Sequence, residues 1–196
     1  MLDLGPAARE VIGLLDGVTE DHLPGPTPCA DTSVAMMLDH LMGLSLAFTE
    51  AARKATTEPG TSRAPSASAD DLDPRWRTAL PARLRELVEA WHDPAAWEGQ
   101  TEAGGVTAPA GQIGVVALDE IVLHGWDLAK ATGQPFRVDP ASAAAVLEFT
   151  EASARPDNAA GREDLFGPVV PVPDDAPVFD RALGFAGRDP AWSPKR

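Results

Sequence analysis

The sequence predicts an all-α protein built around one hydrophobic core. Apolar residues recur at the three- and four-residue spacing of amphipathic helices in six segments of the chain. No segment shows the apolar–polar alternation of a half-buried strand. A length of 196 residues suits a single domain. These observations favour a helical bundle with one long crossover connection.

The first part of the chain predicts two helices and a long connection. The first helix covers roughly residues 5–17, and a polar, proline-containing stretch separates it from the second. The second helix begins near Asp31 or Thr32, because either side chain can serve as its N-cap, and it continues to about Lys54. Thr56 to Asp70 is rich in Ser, Thr, Pro and Ala, and it therefore predicts a mobile crossover with little regular structure.

The middle of the chain predicts two further helices separated by turns. The third helix covers about residues 71–91, where Pro81 marks a kink or a second start. The stretch 93–109 is rich in turn residues, and Val106-Thr107 within it is expected to form a short extended piece. The fourth helix, about residues 111–131, lies in the most apolar segment of the chain.

The last part of the chain predicts two additional helices. Asp139 and Pro140 occupy the preferred N-cap and first positions of a fifth helix that continues to about residue 154. Residues 166–174 are rich in Pro and Val and predict an extended segment. A short sixth helix is expected over 176–187.

Composition excludes several classes of partner. The net charge of −14 and the isoelectric point near 4.5 argue against nucleic acids and anionic membranes, since phosphate binding needs clustered Lys and Arg. No run of about eighteen apolar residues predicts a transmembrane helix, and the first residues do not resemble a signal peptide. The single cysteine, Cys29, cannot form an internal disulfide, so a cytoplasmic protein is expected.

The fourth predicted helix places three polar side chains within an apolar face. At about 100° per residue, Glu120, His124 and Asp127 fall in the same stripe as Ile113 and Ile121. An unpaired carboxylate there would cost several kcal/mol, so it needs a cation or a proton. A divalent metal ion bound by Glu120 and His124 would supply that cation, whereas the simpler alternative is a buried carboxylate hydrogen-bonded to a histidine.

A third metal ligand is predicted on the second helix. His40 lies in the middle of that helix at the edge of its apolar face, whereas His22 and His92 have the surroundings of surface residues. His40 is alternatively a histidine at the edge of the core with a backbone or carboxylate partner. Three protein ligands with open positions are typical of catalytic zinc sites, and their donor atoms are expected about 2.0–2.3 Å from the ion.

Asp127 is the candidate catalytic residue beside these ligands. It could accept a hydrogen bond from a ligand, act as an acid or base, or occupy a ligand position. The alternative is a surface acid in the last turn, near Lys130. Trp126 is expected to pack in the bundle. Cys29 is interpreted as a semi-buried small side chain, although a helix N-terminus beside it could activate its thiol.

Four stretches of the chain resemble a known family. They are Thr27–Asp31, Leu38–Gly43, Leu118–Gly133 (LDEIVLHGWDLAKATG) and the ending Phe166–Pro190. They resemble the bacterial DinB-like metalloprotein superfamily, and within it the branch of the mycothiol-dependent maleylpyruvate isomerase N-terminal domain. The ending is similar to a shorter sister group described as metal-binding.

The resemblance implies a fold, a metal and a cosubstrate. It implies a single domain over 1–196 with a DinB-like four-helix bundle, a long crossover and extra C-terminal helices, in which residues 135–196 pack on the bundle. The family's metal ligands fall on His40, Glu120 and His124, with zinc favoured and nickel as the alternative. Two departures are Thr32, where the family commonly has Trp, and the absence of the isomerase's additional C-terminal domain, which argues against maleylpyruvate as substrate.

Three functions remain open from the sequence. The first is a metal-dependent S-transferase or isomerase that uses a small thiol, mycothiol, as cosubstrate and acts on a small electrophile. The second is a metal-dependent hydrolase. The third is a metal-stabilised binding module without catalysis, since fold alone does not determine function. A homodimer is compatible with each of them.

Overall fold

The computed structural model describes residues 1–55, 67–158, 162 and 165–194. Within them the protein is mostly helical, with one small two-stranded sheet. The helices are α1 (Gly5–Leu14), α2 (Val34–Ala52), α3 (Trp76–Trp91), α4 (Ala110–Ala131), α5 (Pro140–Ser153) and α6 (Val178–Phe185). The strands are β1 (Gln100–Ala103) and β2 (Val106–Pro109). Each helix predicted from the sequence is present, and none of the described helices is long and apolar enough to cross a membrane.

The start of α2 lies one or two residues after the predicted N-cap positions. Ser33 is the N-cap, and its hydroxyl accepts a hydrogen bond from the Met36 amide at 3.3 Å. Asp31 cannot fill this role because its backbone adopts φ +56°, outside the extended conformation of an N-cap. The hydroxyl of Thr32 is engaged with the Ala30 carbonyl.

The core lies between α2, α3 and α4, with α1 packed against α3 and α4. Leu38 and Leu41 of α2 and Ile121 and Leu128 of α4 are fully buried. Helix α4 buries residues on most of its circumference, as its composition predicts. Packing on most sides of α4 restricts the positions of the polar side chains that it carries.

The hairpin β1–β2 corrects the all-α expectation. Val106-Thr107, the predicted extended piece, lies in β2, and Ala103 pairs with Val106 across a turn in which Gly104 and Gly105 have φ of +59° and +82°. Such positive φ values are those of the tight turns that join hairpin strands. Strand β1 escaped prediction because four residues are too few to show a periodic pattern. The Thr101 hydroxyl donates to the Ala51 carbonyl at 2.6 Å and ties the hairpin to the end of α2.

Two connections bear on other predictions. The crossover predicted over Thr56 to Asp70 lies mostly outside the described residues, since the structure describes only 67–70 of it. There the Ser68 amide donates to Asp39 of α2 at 3.1 Å, which fixes the return of the chain beside the second helix. Helix α3 then begins at Trp76, later than predicted, and it continues through Pro81.

The C-terminal part of the chain packs back onto α4. Asp139 caps α5 by accepting hydrogen bonds from two amides, as predicted. Helix α5 contacts both α4 and α6, and the predicted extended segment 166–174 contains no helix or strand. The Lys130 ammonium of α4 donates to the Pro190 carbonyl at 3.1 Å, so the segment after α6 lies against the end of α4.

Candidate metal centre

Helices α2 and α4 bring three potential metal ligands together, and we call them the front cluster: His40, Glu120 and His124. Nε2 of His40 lies 3.2 Å from Oε2 of Glu120, and Nε2 of His124 lies 3.0 Å from the same oxygen. The two imidazole rings meet edge to face, with centroids 4.8 Å apart. One donor atom from each residue lies within 4.8 Å of the others. The side chains predicted as ligands therefore converge.

The spacing of these donors suits a small divalent ion. With zinc–ligand bonds of about 2.1 Å, two ligands of a tetrahedral ion lie about 3.4 Å apart. The two measured contacts to Glu120, 3.2 and 3.0 Å, are close to that value. Two imidazole nitrogens and one carboxylate oxygen are also a donor set that zinc accepts. The residues present therefore fit the group that the sequence predicted.

The front cluster lies at the edge of the core. The side chains of His40, Glu120 and His124 are 26%, 22% and 12% exposed. This exposure leaves one side of the cluster accessible from solvent, while the other side is packed in the protein. A site of this kind can admit a small ligand to positions that protein groups do not fill.

Hydrogen bonds determine the charge of Glu120. Burial would raise the pKa of its carboxyl group, but hydrogen bonds to His124 and His40 hold that pKa well below its ordinary value. Glu120 is consequently an anion at neutral pH. Its Oε2 atom is shared by both imidazole rings.

His124 holds a proton tightly when no metal is bound. Burial lowers its pKa, but the hydrogen bonds to Asp127 and Glu120 outweigh burial and raise the pKa to about 10. A metal ion bound by Nε2 of His124 must displace a proton, because only an unprotonated imidazole nitrogen is a ligand. Its affinity should therefore rise with pH.

Asp127 is fully buried behind His124 and forms an ion pair with Arg188, which we call the back pair. Its Oδ2 atom lies 3.1 Å from Nδ1 of His124 and accepts a hydrogen bond from Nη2 of Arg188 at 2.9 Å. Burial raises the pKa of Asp127, but the Arg188 charge and the His124 hydrogen bond lower it overall. Asp127 is thus not a surface acid, and Lys130 instead lies over the Trp126 ring. Of the predicted roles, the geometry favours the hydrogen-bond acceptor that orients a ligand.

Sequence reasoning missed Arg188. Its guanidinium is 6% exposed and also donates to the Ala186 carbonyl at 2.9 Å. Residue 188 is 61 positions from Asp127, so no helical spacing connects the two. The only signal in the sequence was its place inside the ending that resembles the sister group.

Cys29 forms a second donor set with His124 and Asp127. The three residues place potential ligand atoms within 4.8 Å of one another. Cys29 is partly buried against the core, as the sequence predicted for a semi-buried small side chain. Asp127 already neutralises the guanidinium of Arg188, and a second cation beside that guanidinium would be repelled. Arg188 pairs with Asp127 and not with a residue of the front cluster, which is therefore the better metal site.

Asp119 adds a further buried acid beside Glu120. Burial and the Glu120 charge raise the pKa of its carboxyl group well above the ordinary value. Its Oδ1 atom is buried without a hydrogen-bond partner among the described residues. The raised pKa favours the protonated form of Asp119, which avoids a second negative charge directly beside Glu120.

The remaining histidines lie apart from the centre. His22 hydrogen-bonds to Thr19, and His92 lies 3.3 Å from the Asp3 carboxylate. Both contacts are at the surface, as the sequence indicated for these two residues.

Comparisons with known proteins place the chain in a family. Residues 4–129 match the model of the mycothiol maleylpyruvate isomerase N-terminal domain. The match covers more than half of the chain and includes the front cluster and Asp127, but not Arg188. The chain belongs to this family.

Two similar proteins come from Mycobacterium tuberculosis, strains CDC 1551 / Oshkosh and ATCC 25618 / H37Rv. Both are described as uncharacterized proteins. Each is 30% identical over 186 residues, which covers 89% of this chain and 90% of the relative. No solved structure matches the chain significantly.

Proposed function

We propose that this protein is a divalent-metal-dependent enzyme that transfers or isomerises a small electrophile with a thiol cosubstrate, mycothiol. His40, Glu120 and His124 would hold the ion, with zinc favoured and nickel as the alternative. The observation that carries the proposal is the convergence of these three donors at an accessible edge of the core. Three protein ligands leave open positions, which is the arrangement of catalytic rather than structural zinc sites.

The three proposed ligands would supply different charges to the metal ion. Glu120 supplies the negative charge of the ligand set, and the two imidazoles supply neutral donors once His124 has lost its proton. A bound divalent ion would supply Lewis acidity, which lowers the pKa of a thiol ligand and favours the nucleophilic thiolate at neutral pH. The partial burial of the front cluster lowers the local dielectric and strengthens these interactions.

We assign Asp127 an orienting role. Its Oδ2 atom accepts a hydrogen bond from the Nδ1–H group of His124, which leaves Nε2 as the nitrogen that faces Glu120. This arrangement of carboxylate, histidine and metal fixes the tautomer of a metal-ligating histidine. The buried position of Asp127 and its bonds to Arg188 support orientation over direct proton exchange with a substrate.

The family supports the choice of thiol. The matched family's description names mycothiol and an isomerase, and we extend the thiol to this chain as a proposal. The packing of α1 to α4 supports a DinB-like bundle, with residues 135–196 as an extension of one domain over 1–196. The net charge of −14 supports small-molecule partners over nucleic acid. A homodimer remains compatible with this proposal.

Metal content is the first experiment. The protein should be purified with and without a chelator, and its zinc and nickel measured by elemental analysis and by anomalous scattering at both edges. We expect about one ion per chain and its loss in Glu120→Gln. Glu151→Gln is the matched control, because Glu151 lies exposed on α5. Absence of metal from the wild-type protein after reconstitution would defeat the proposal.

Turnover separates the three functions. Metal-loaded protein should consume small electrophiles only when mycothiol is present, and a mycothiol analogue without the sulfur should not support the reaction. Ester or amide hydrolysis that needs the metal but no thiol would instead identify a hydrolase. Binding of small apolar molecules by protein that retains its metal but has no turnover would identify a binding module.

A further inference from the structure

The C-terminal segment places a guanidinium directly behind the metal centre. Arg188 follows α6 and lies outside the family-matched residues 4–129. Its Nε atom donates to Oδ1 of Asp127 at 3.2 Å, and its Nη2 atom donates to Oδ2 at 2.9 Å. Both carboxylate oxygens are therefore held by one rigid group.

The backbone fixes this guanidinium in place. The Arg188 amide donates to the Leu183 carbonyl at 2.8 Å, which joins it to the end of α6. Gly187 has φ +79°, and a Cβ atom there would lie 2.8 Å from the carbonyl carbon of Gly167. The turn before Arg188 thus requires glycine both for its φ and for its close approach to the neighbouring chain.

A carboxylate held at two points has a fixed plane. Oδ2 of Asp127 presents its remaining lone pair to Nδ1 of His124, 3.1 Å away. This hydrogen bond fixes the orientation of the His124 ring, so that its Nε2 atom lies 3.0 Å from Oε2 of Glu120. A single ammonium could supply the same charge, but it could not fix the carboxylate plane as a planar fork does.

We infer that Arg188 is a positioning residue of the metal centre, which acts through Asp127 to fix the ring of His124. The C-terminal segment, beyond the family-matched residues, would then complete the site. The metal-dependent part of this inference rests on the proposed function. The part that concerns the orientation of His124 in the metal-free protein is independent of the proposed function.

The first test measures cobalt binding by absorption spectroscopy in four proteins. They are the wild type, Arg188→Met, Arg188→Lys and the matched control Arg162→Met. Arg162 donates to the Gly167 and Phe185 carbonyls of the same C-terminal segment, so its loss loosens that segment without removing a hydrogen bond of the back pair. We expect Arg188→Met to weaken Co²⁺ binding about 10- to 100-fold, the range for groups that orient a ligand.

The two remaining variants distinguish the position of the Arg188 guanidinium from its charge and from the packing of the C-terminal segment. Arg188→Lys should retain the fold but shift the Co²⁺ spectrum, because lysine cannot hold both oxygens in one plane. Arg162→Met should leave the spectrum unchanged. Equal losses in Arg188→Met and Arg162→Met would show that Arg188 only holds the segment down and would overturn the inference. If Arg188→Met does not fold, the Arg188→Lys spectrum decides alone.

A double-mutant cycle tests the path through Asp127. In an Asp127→Asn background, Arg188→Lys should change Co²⁺ affinity much less than it does in the wild type. Equal changes in both backgrounds would show that Arg188 does not act through Asp127.

Proton NMR of the metal-free protein distinguishes this inference from the proposed function. The Nδ1 proton of His124 should give a downfield resonance that exchanges slowly with water in the wild type and Arg162→Met. Arg188→Lys should broaden the resonance or accelerate its exchange. If the wild type binds no metal, the proposed function fails while this comparison still decides the role of Arg188. An unchanged resonance in Arg188→Lys would reject that role.

Discussion

The front cluster and the back pair place charge on the same helix in different ways. In the front cluster, Glu120 is shared by two histidines at an edge of the core that is 12–26% exposed. In the back pair, Asp127 and Arg188 are almost completely enclosed and bonded to each other. Under the proposed function, the front cluster would exchange its hydrogen bonds for bonds to a metal ion. In the back pair, water cannot reach the charge that would remain if either partner were removed.

Under the proposed function, this difference distinguishes the residues that would bind the metal ion from the pair that would orient them. A partly exposed cluster tolerates a change of protonation or ligand, because water compensates part of the charge. A buried ion pair gains little net stability over apolar residues, yet it becomes strongly unfavourable when one partner is lost. Substitutions in the front cluster should therefore affect metal binding most, and substitutions in the back pair should affect folding most.

The largest expected effect is on stability. Asp127→Asn leaves the Arg188 guanidinium buried without a counterion, and the free energy of unfolding should fall by about 3–5 kcal/mol. Glu120→Gln removes hydrogen bonds to charged groups at the exposed edge and should cost about 1.5–3 kcal/mol. Urea unfolding in the presence of a chelator measures both. A larger loss in Glu120→Gln than in Asp127→Asn would contradict the proposed difference.

The second effect concerns metal affinity in the front cluster. Glu120→Gln replaces the only anionic member of the proposed ligand set by a neutral amide of nearly equal volume, so Zn²⁺ affinity should fall more than about 100-fold, beyond the range for orienting groups. Competition with a fluorescent chelator measures the affinity. Glu151→Gln on the exposed side of α5 should bind Zn²⁺ as the wild type does. Retention of wild-type affinity in Glu120→Gln would exclude this carboxylate as a ligand.

The third effect is the smaller loss of metal affinity expected from the back pair. Asp127→Asn keeps a hydrogen-bond acceptor but loses the charge that orients His124, so Zn²⁺ affinity should fall about 10- to 100-fold. The same competition assay applies, with the exposed Asp174→Asn as control. Thiol-dependent turnover by the remaining metal-loaded Asp127→Asn protein should also be impaired. A loss as large as that of Glu120→Gln would place Asp127 among the ligands.

The front cluster could be predicted because local periodicity determines it. The i, i+4 spacing places Glu120 and His124 on one face of any helix, and the apolar residues around them indicate that this face is buried. His40 required an additional assumption, that α2 faces α4. The structure brings these two helices together.

The back pair could not be predicted because it depends on a distant return of the chain. Arg188 reaches Asp127 only through the turn at Gly187 and its close packing on Gly167. Neither contact has a periodic signature in the sequence. The semi-buried position of Cys29 was predicted correctly. Its neighbours His124 and Asp127 could not be predicted, since a loop residue acquires its neighbours only when the helices have packed.

The fourth effect is a pH dependence of the front cluster. The pKa of His124 is raised to about 10 in the metal-free fold, against about 6.5 in an unfolded chain. Its contribution to stability is fully present below about pH 6.5 and is lost as the pH rises through about 10. The melting temperature of metal-free protein should therefore fall across this window, whereas Zn²⁺ should stabilise the protein more as the pH rises.

Differential scanning fluorimetry with chelator or with Zn²⁺ measures this dependence. His92→Gln is the control, because His92 lies at the surface beside Asp3, and its profile should follow the wild type. His124→Gln should lose the component that depends on this proton. If the metal-free wild type and His124→Gln show the same slope between pH 7 and pH 10, the proton of His124 does not stabilise the fold.

The smallest effect comes from an ion pair that resembles the back pair in distance but not in burial. Arg53 and Glu86 lie 2.8 Å apart with side chains 52% and 50% exposed, whereas Arg188 and Asp127 lie 2.9 Å apart and are 6% and 0% exposed. Water and salt screen the exposed pair, and ordering two long side chains offsets much of its attraction. Glu86→Gln should therefore change the free energy of unfolding by less than about 1 kcal/mol, and 1 M salt should remove that difference. Urea unfolding of Glu86→Gln beside Asp127→Asn tests whether burial, rather than contact distance, determines the effect. Equal losses in the two variants would show that it does not.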